Sequence, residues 1–309
     1  MILLPMPGTA RLDRLGPALG ASVGEVAVHR FPDGEVRVRL TDALDGEDVV
    51  LLAALDRPDA RLLPLLFAAA TAHELGAVSV GLVAPYLPYL RQDDRFHPGE
   101  GVSARYFARL LSGAVDWLVT VDPHLHRIRE LSEVYDVPTE TAHAAPLLAD
   151  WIRRHVDAPL LLGPDAESLQ WAGAIARLVP APHAVFRKER TSDRRVAITL
   201  PDLAAHAGRR PVLVDDMIAS GGTMAAAVRA LRAAGWPAPV CLAVHALFAE
   251  GAREALRDAG PSAVVTCNTI AHPSNQVDVQ DLLADAVWRQ LQSRAADTVP
   301  HRRLKGSLP

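Results

Sequence analysis

Short, unbroken apolar runs recur along this chain. Residues 49–55 (VVLLAAL), 78–84 (VSVGLVA), 115–121 (VDWLVTV), 160–162, 211–214 and 240–245 (VCLAVH) carry apolar side chains at mostly consecutive positions. A strand with one solvated face alternates apolar and polar residues, whereas a strand covered on both faces does not. The runs therefore predict central strands of parallel sheets. Between several of them lie Ala/Leu-rich stretches, 61–75 and 224–234, with the amphipathic period of a helix. Strand–helix–strand alternation predicts an α/β fold, each sheet mainly parallel and flanked by helices.

The pattern repeats. Strand 49–55, helix 61–75, Gly76 and strand 78–84 form one unit, and strand 211–214, helix 224–234, Gly235 and strand 240–245 form a second. Their spacing is that of a βαβ unit of roughly 30 residues. Two tandem halves of one architecture account for the 309 residues. The expected boundaries are an N-terminal domain at 1–142 and a C-terminal domain at 143–292, with the break inside 141–146. The last helix is a candidate to fold back on the N-terminal domain. Residues 293–309 are polar and contain proline, and are expected to form a loose tail. Only the second unit has a glycine-rich turn after its first strand; the first has Asp56, Pro58 and Asp59 there.

Composition narrows the field. With 50% hydrophobic and 22% charged residues, the chain is neither disordered nor fibrous. Lys and Arg number 32 against 36 Asp and Glu, a net charge of −4, so no nucleic-acid partner is expected. Aromatics are only 5%, so the core must be mostly Ala, Leu and Val. No apolar run approaches the ~20 residues of a membrane span, and no membrane association is expected. Cys241 and Cys267 sit in apolar runs and read as buried thiols of a reducing compartment. The first residues lack the basic region of a secretory signal. A cytoplasmic location is the expectation.

The chemistry concentrates in VLVDDMIASGGTMAAAVRAL, residues 212–231. A buried strand leads to Asp215 and Asp216, and a turn with Ser220, Gly221, Gly222 and Thr223 follows before a helix. Free N–H groups and hydroxyls then converge where the helix start favours an anion, and the glycines let a phosphate come close to the backbone. The acidic pair would face sugar hydroxyls or a metal bound to them. The plainer alternative is a well-capped helix beside two solvated carboxylates.

This segment closely resembles the 5-phosphoribosyl-1-diphosphate motif of type I phosphoribosyltransferases. Further segments occur in order: FPDGE (31–35), PYLPYLRQDDRFHPGE (85–100), DPH (122–124), GPDAES (163–168), RKERTSDRRV (187–196) and CNTI (267–270). Together they resemble the ribose-phosphate pyrophosphokinase family, also called phosphoribosyl pyrophosphate synthetases. The compact RQDxRFxPGE form is similar to its archaeal-type branch. The resemblance implies two tandem type I phosphoribosyltransferase-like domains. It also implies transfer of the diphosphoryl group of ATP to C1 of ribose 5-phosphate, with release of AMP.

Residue by residue, the resemblance implies that Lys188 and Arg190 lie on a mobile catalytic loop. Phe31, Asp33, Gly34, Glu35, Arg91, Gln92 and Asp93 would contact ATP. Arg190, Asp215, Asp216, Ala219, Ser220, Gly221, Gly222 and Thr223 would hold ribose 5-phosphate. His124 and Asp165 would associate with Mg²⁺. The FPDGE loop of one protomer would reach the ATP site of a neighbour, so the active unit would be a homodimer or larger homo-oligomer. The family usually has glycines where Glu167 and Ser168 stand, and commonly Asp in place of Ala219.

Three alternatives stay open at this point. A regulatory homologue would bind nucleotide without turnover, although Lys188 and Arg190 are present. A diphosphokinase for a different sugar phosphate would share every motif. A base phosphoribosyltransferase would need only one such domain and no FPDGE or RQD segment.

Overall fold

The structure is a computed structural model. It describes residues 1–9, 12–192 and 195–297, and of residues 188–192, 195–198 and 295–297 the backbone alone. The first half runs β1 (Ile2–Pro5), α1 (Leu15–Leu19), β2 (Ser22–Val23), β3 (Val26–Arg30), β4 (Val36–Leu40), β5 (Asp48–Leu52), α2 (Pro58–Glu74), β6 (Ser79–Ala84), α3 (Ser103–Ser112), β7 (Trp117–Val121) and β8 (Thr139–Ala142). The second runs α4 (Ala145–His155), β9 (Pro159–Gly163), α5 (Leu169–Leu178), β10 (His183–Val185), β11 (Arg187–Ser192), β12 (Arg195–Thr199), β13 (Arg210–Met217), α6 (Gly222–Ala233), β14 (Val240–His245), α7 (Ala252–Ala259), β15 (Ala263–Cys267), β16 (Asn275–Val277) and α8 (Gln280–Asp297).

Each half holds a six-stranded sheet, ordered β2-β1-β5-β6-β7-β8 and β10-β9-β13-β14-β15-β16. Every pairing within these two sheets is parallel. The two orders are the same path traced twice. In both, an antiparallel hairpin is inserted after the second strand: β3–β4 in the first half and β11–β12 in the second. The FPDGE turn and the cationic segment that begins at Arg187 thus occupy equivalent places in the repeat. The chain is α/β, with mainly parallel sheets flanked by helices, as its apolar runs predict.

The reason those runs are continuous is visible in the packing. On β5, Val50 and Leu52 enter one core while Val49 and Leu51 enter another. The first core is shared between the halves. Val119 and Val121 of the first sheet and Val212, Val214, Leu242 and Val244 of the second lie in it, together with Leu148 and Ile152 of α4 and Leu283 and Val287 of α8. The other face of the first sheet is covered by α2 and α3, and that of the second by α6 and α7. Helix α8, last in sequence, packs on α1, β7 and β8 of the first half, while α4 touches β16 of the second. Both cysteines are fully buried in these cores.

Some boundaries differ from the sequence expectation. Helix α2 begins at Pro58 rather than 61, because a proline at the first turn lacks only an N–H that has no helical partner there. Strand β13 continues through Met217, so Asp215 and Asp216 lie within the strand instead of beyond it. Helix α8 runs to Asp297, past the point at which the tail was expected to start. Residues 298–309 lie outside the described residues. No helix among the described residues is long and apolar enough to cross a membrane.

Candidate functional site

In an open parallel sheet, the crevice lies at the carboxyl ends of the strands, where the strand order reverses. In the second sheet the reversal falls between β9 and β13. A cleft of about 200 Å³ opens there, lined by Asp165 after β9, by Asp215 and Asp216 of β13, and by Ala219, Ser220, Gly221 and Thr223 at the start of α6. Arg91 and His124 of the first half also line it, together with Glu167 and Trp171.

The turn into α6 depends on Gly221. It caps the helix with φ of 70°, in the left-handed region that an L side chain rarely adopts. A Cβ at this position would stand 3.0 Å from the carbonyl oxygen of Ala252. The first N–H groups of a helix have no intrahelical acceptor and carry its partial positive charge. Ser220, Gly221 and Thr223 bring this anion-seeking end to the cleft wall, while Gly222 opens the helix behind them.

Facing this end is a crowd of carboxylates. Burial, then the nearby Asp216 and Asp165 charges, hold the Asp215 carboxyl well above its ordinary range. Asp216 is buried, and its Oδ2 lies 2.5 Å from His124 Nδ1. That hydrogen bond raises the His124 imidazole above its ordinary value, against the opposing effect of burial. The ring also stacks on Trp171, with centroids 6.3 Å apart and planes 14° from parallel. With Nδ1 engaged, Nε2 is the ring atom left for other partners.

Asp165 sits in a tight turn. Its Oδ1 accepts from the backbone N–H groups of Glu167 at 3.1 Å and Ser168 at 3.3 Å, and from Ser168 Oγ at 3.0 Å. Ser168 is fully buried. Its hydroxyl thus fixes the turn, at a position where the resembled family usually has glycine. Among the described residues no three His, Cys, Asp or Glu side chains converge as a ready metal cage.

The residues that the resemblance assigns to ATP are dispersed. Arg91 lines the cleft. Gln92 turns its amide toward Glu100 and the carbonyls of Asp94 and Gly101. Asp93 is buried, and its carboxylate accepts from Arg127 N at 2.9 Å and Arg127 Nη1 at 3.0 Å. Phe31, Asp33, Gly34 and Glu35 form the exposed turn between β3 and β4 and do not line this cleft. Phe31 is 39% exposed and meets only His29 edge-on among ring contacts of described residues. The backbone of Lys188 and Arg190 belongs to β11, paired with β12; their side chains lie outside the described residues.

Sequence reasoning missed two side chains. Trp171, at the start of α5, forms part of the cleft wall. His245 stands at the end of β14, fully buried beneath the site, with its Nε2 3.1 Å from the Asp122 carbonyl oxygen of the other half. Local pattern carries no signal for either, since both act through residues distant in sequence.

Comparison with known proteins agrees with this geometry. Residues 12–114 match the N-terminal domain of ribose phosphate pyrophosphokinase, and residues 130–282 match the phosphoribosyl transferase domain. A ribose-phosphate pyrophosphokinase from Methanopyrus kandleri is 35% identical over 289 residues, covering 93% of this chain and 98% of that protein. One from Halobacterium salinarum is 37% identical over 277 residues, covering 88% and 95%. The crystal structure of phosphoribosylpyrophosphate synthetase from Mycobacterium smegmatis superposes with a TM-score of 0.83 at 26% identity, covering 94% of this chain and 99% of that one. A shared sequence over nearly the whole length, one two-domain fold and one cleft lead to the same place: the chain belongs to the ribose-phosphate pyrophosphokinase family.

Proposed function

We propose that the chain is a ribose-phosphate diphosphokinase. The C1 hydroxyl of ribose 5-phosphate attacks the β-phosphorus of ATP, the bond from that phosphorus to the α-phosphate oxygen breaks, and AMP leaves. The products are 5-phosphoribosyl 1-diphosphate, AMP and the proton of the attacking hydroxyl. The observation that carries this reading is the cleft itself, where an anion-seeking helix start and a group of carboxylates face Arg91 across the two halves.

In this reading Ala219, Ser220, Gly221, Gly222 and Thr223 hold the 5-phosphate at the start of α6, and Asp215 and Asp216 orient the ribose hydroxyls. Arg91 and Gln92 contact ATP. Asp93 acts through the Arg127 clamp that fixes the ATP loop. Lys188 and Arg190 bring positive charge to the migrating group, and Arg190 also contacts the sugar phosphate. Phosphoryl-type transfer relies mainly on such positioning and charge stabilisation. Phe31, Asp33, Gly34 and Glu35, exposed and away from the cleft of their own chain, serve the ATP site of a second copy in a homodimer or larger homo-oligomer.

The donor set suits Mg²⁺. Asp165, Glu167, Asp215 and Asp216 crowd one cleft, and burial, then the Asp216 and Asp165 charges, raise the Asp215 carboxyl. Magnesium is held by one or two carboxylates together with substrate phosphates. Asp165 and His124 would hold it, and it would supply charge neutralisation to the substrate phosphates. Glu167 supports a second reading, a pentose phosphate other than ribose 5-phosphate, because it adds a negative charge to the cleft where the resembled family usually has glycine. A coupled assay of AMP release from ATP tests both readings. Ribose 5-phosphate as the preferred acceptor supports the first; a clear preference for another pentose phosphate supports the second; no sugar-dependent AMP refutes both.

A further inference from the structure

Asp122 is the residue on which the aim of His124 turns. It has φ of 34°, left-handed and unfavourable for a residue with a side chain. Such a conformation persists only where its surroundings hold it. Its N–H donates to the Ala142 carbonyl at 3.0 Å. Its carboxylate accepts from His143 Nδ1 at 2.9 Å and from Ala144 N at 2.8 Å. These bonds fix the amide and the side chain but not the direction of the Asp122 carbonyl. That carbonyl begins the step through Pro123 to His124.

The carbonyl is met by His245. The His245 ring is fully buried, with Nε2 3.1 Å from the Asp122 oxygen and Nδ1 2.9 Å from Thr269 Oγ1. A carbonyl oxygen only accepts, so Nε2 carries a proton. The ring edge rests against Tyr86, with centroids 5.0 Å apart. The backbone of His245 is part of the ladder beside Met217 and accepts from the Ile218 N–H at 3.0 Å. One residue thus joins the strand that carries Asp215 and Asp216 to the turn that carries His124.

We infer that His245 is a positioning residue: its Nε2–H bond to the Asp122 carbonyl fixes the direction of the Asp122–Pro123 peptide and so sets His124 against Asp216. Without this donor the Asp122 oxygen is a buried acceptor with no partner, and its peptide gains by rotating about the Cα–C bond toward another donor. His124, two residues on, is then carried away from its place 2.5 Å from Asp216 Oδ2. The substrate-binding turn at Ser220 to Thr223 does not depend on this contact. The inference rests on the proposed reaction only for its kinetic readout.

Two variants separate the ring nitrogens. The amide of His245→Gln overlays Nε2 and keeps a donor for Asp122, whereas that of His245→Asn overlays Nδ1 and keeps only the Thr269 contact. In the unliganded protein, the His124 N–H held by Asp216 should give a low-field proton NMR signal, to be assigned by its absence in His124→Ala. The signal is expected to persist in His245→Gln and to vanish in His245→Asn. In turnover, kcat of His245→Asn should fall about 10-fold or more while KM for ribose 5-phosphate changes little, since a displaced catalytic group costs rate more than binding. In a His124→Ala background the Asn and Gln variants should have equal kcat. Equal signals in the two single variants, or a difference in kcat that survives in the His124→Ala background, overturns the inference. Failure of the wild type to turn over ATP and ribose 5-phosphate overturns the proposed reaction, and the NMR comparison still decides the role of His245.

Discussion

Replacing Gly221 by alanine adds one methyl group and tests the anion loop directly. Gly221 has φ of 70°, and the new Cβ would meet the Ala252 carbonyl oxygen at 3.0 Å. Placing an L side chain in the left-handed region costs about 1–2 kcal/mol. The close contact adds to this, because its neighbour is backbone at the head of α7. For a two-domain chain of this size the melting temperature should fall by roughly 2–8 °C. The alternative open to the protein is to shift the loop and relieve the strain. That moves the N–H groups offered to the phosphate, and a loss of about 1.4 kcal/mol of phosphate binding raises KM for ribose 5-phosphate about 10-fold. KM for ATP should stay within about twofold, since Arg91 is carried by the other half. Gly222→Ala is the control: its Cβ would find only Ser220 Oγ at 3.6 Å, and its φ is not left-handed. It should leave stability unchanged or raise it by about 0.4–1 kcal/mol through the unfolded chain. Thermal melts and initial rates in both substrates check this. Equal destabilisation by the two alanines, or a KM change shared equally by ATP and ribose 5-phosphate, refutes the reasoning.

Other expectations follow from the same geometry. Lys188→Ala should lower kcat about 100-fold or more with less effect on ATP affinity; a wild-type kcat removes Lys188 from the mechanism. The Asp215 carboxyl is raised in the folded state, so its contribution to stability is full below the unfolded value and is lost as pH rises through the folded one. Asp215→Asn should therefore melt higher than wild type in alkaline buffer without substrates, with the gap closing as pH falls, while activity is lost. The His124 imidazole is likewise raised, so its stabilisation is complete below about pH 6.5 and disappears as pH rises through the folded value. Melts of wild type and His124→Gln should converge on the alkaline side. Mixing an Asp33→Ala, Glu35→Ala chain with a Lys188→Ala chain under conditions that allow subunit exchange should restore activity above both parents. Confirmed exchange without recovery refutes a site shared between protomers.

The central strands were legible because burial on both faces leaves a mark in every residue, as in 49–55 and 240–245. The β3–β4 hairpin was not read, although its sequence VAVHR and VRVRL alternates as a half-solvated hairpin should. Strand β13 ran longer than its apolar core suggested. Asp215 pairs with Ala243 and Met217 with His245 in the ladder, and the cleft makes room for carboxylates that a closed core would exclude. Ser168 looked like a departure from a glycine pattern; in the fold its hydroxyl closes the Asp165 turn. His245 and Trp171 could not have been found from local pattern. The partner of His245 lies 123 residues away, and the importance of that partner comes from a backbone angle that no side-chain pattern encodes.

In the proposed reaction the diphosphoryl group moves as one unit from ATP to C1 of the sugar. Phosphorus NMR of a reaction containing ATP, ribose 5-phosphate and Mg²⁺ tests it directly. The ATP β and γ resonances should be replaced by the coupled pair of a sugar diphosphate, with AMP appearing in equal amount and the 5-phosphate retained. Accumulation of ADP with a singly phosphorylated C1, or of free inorganic diphosphate without a sugar product, would contradict it.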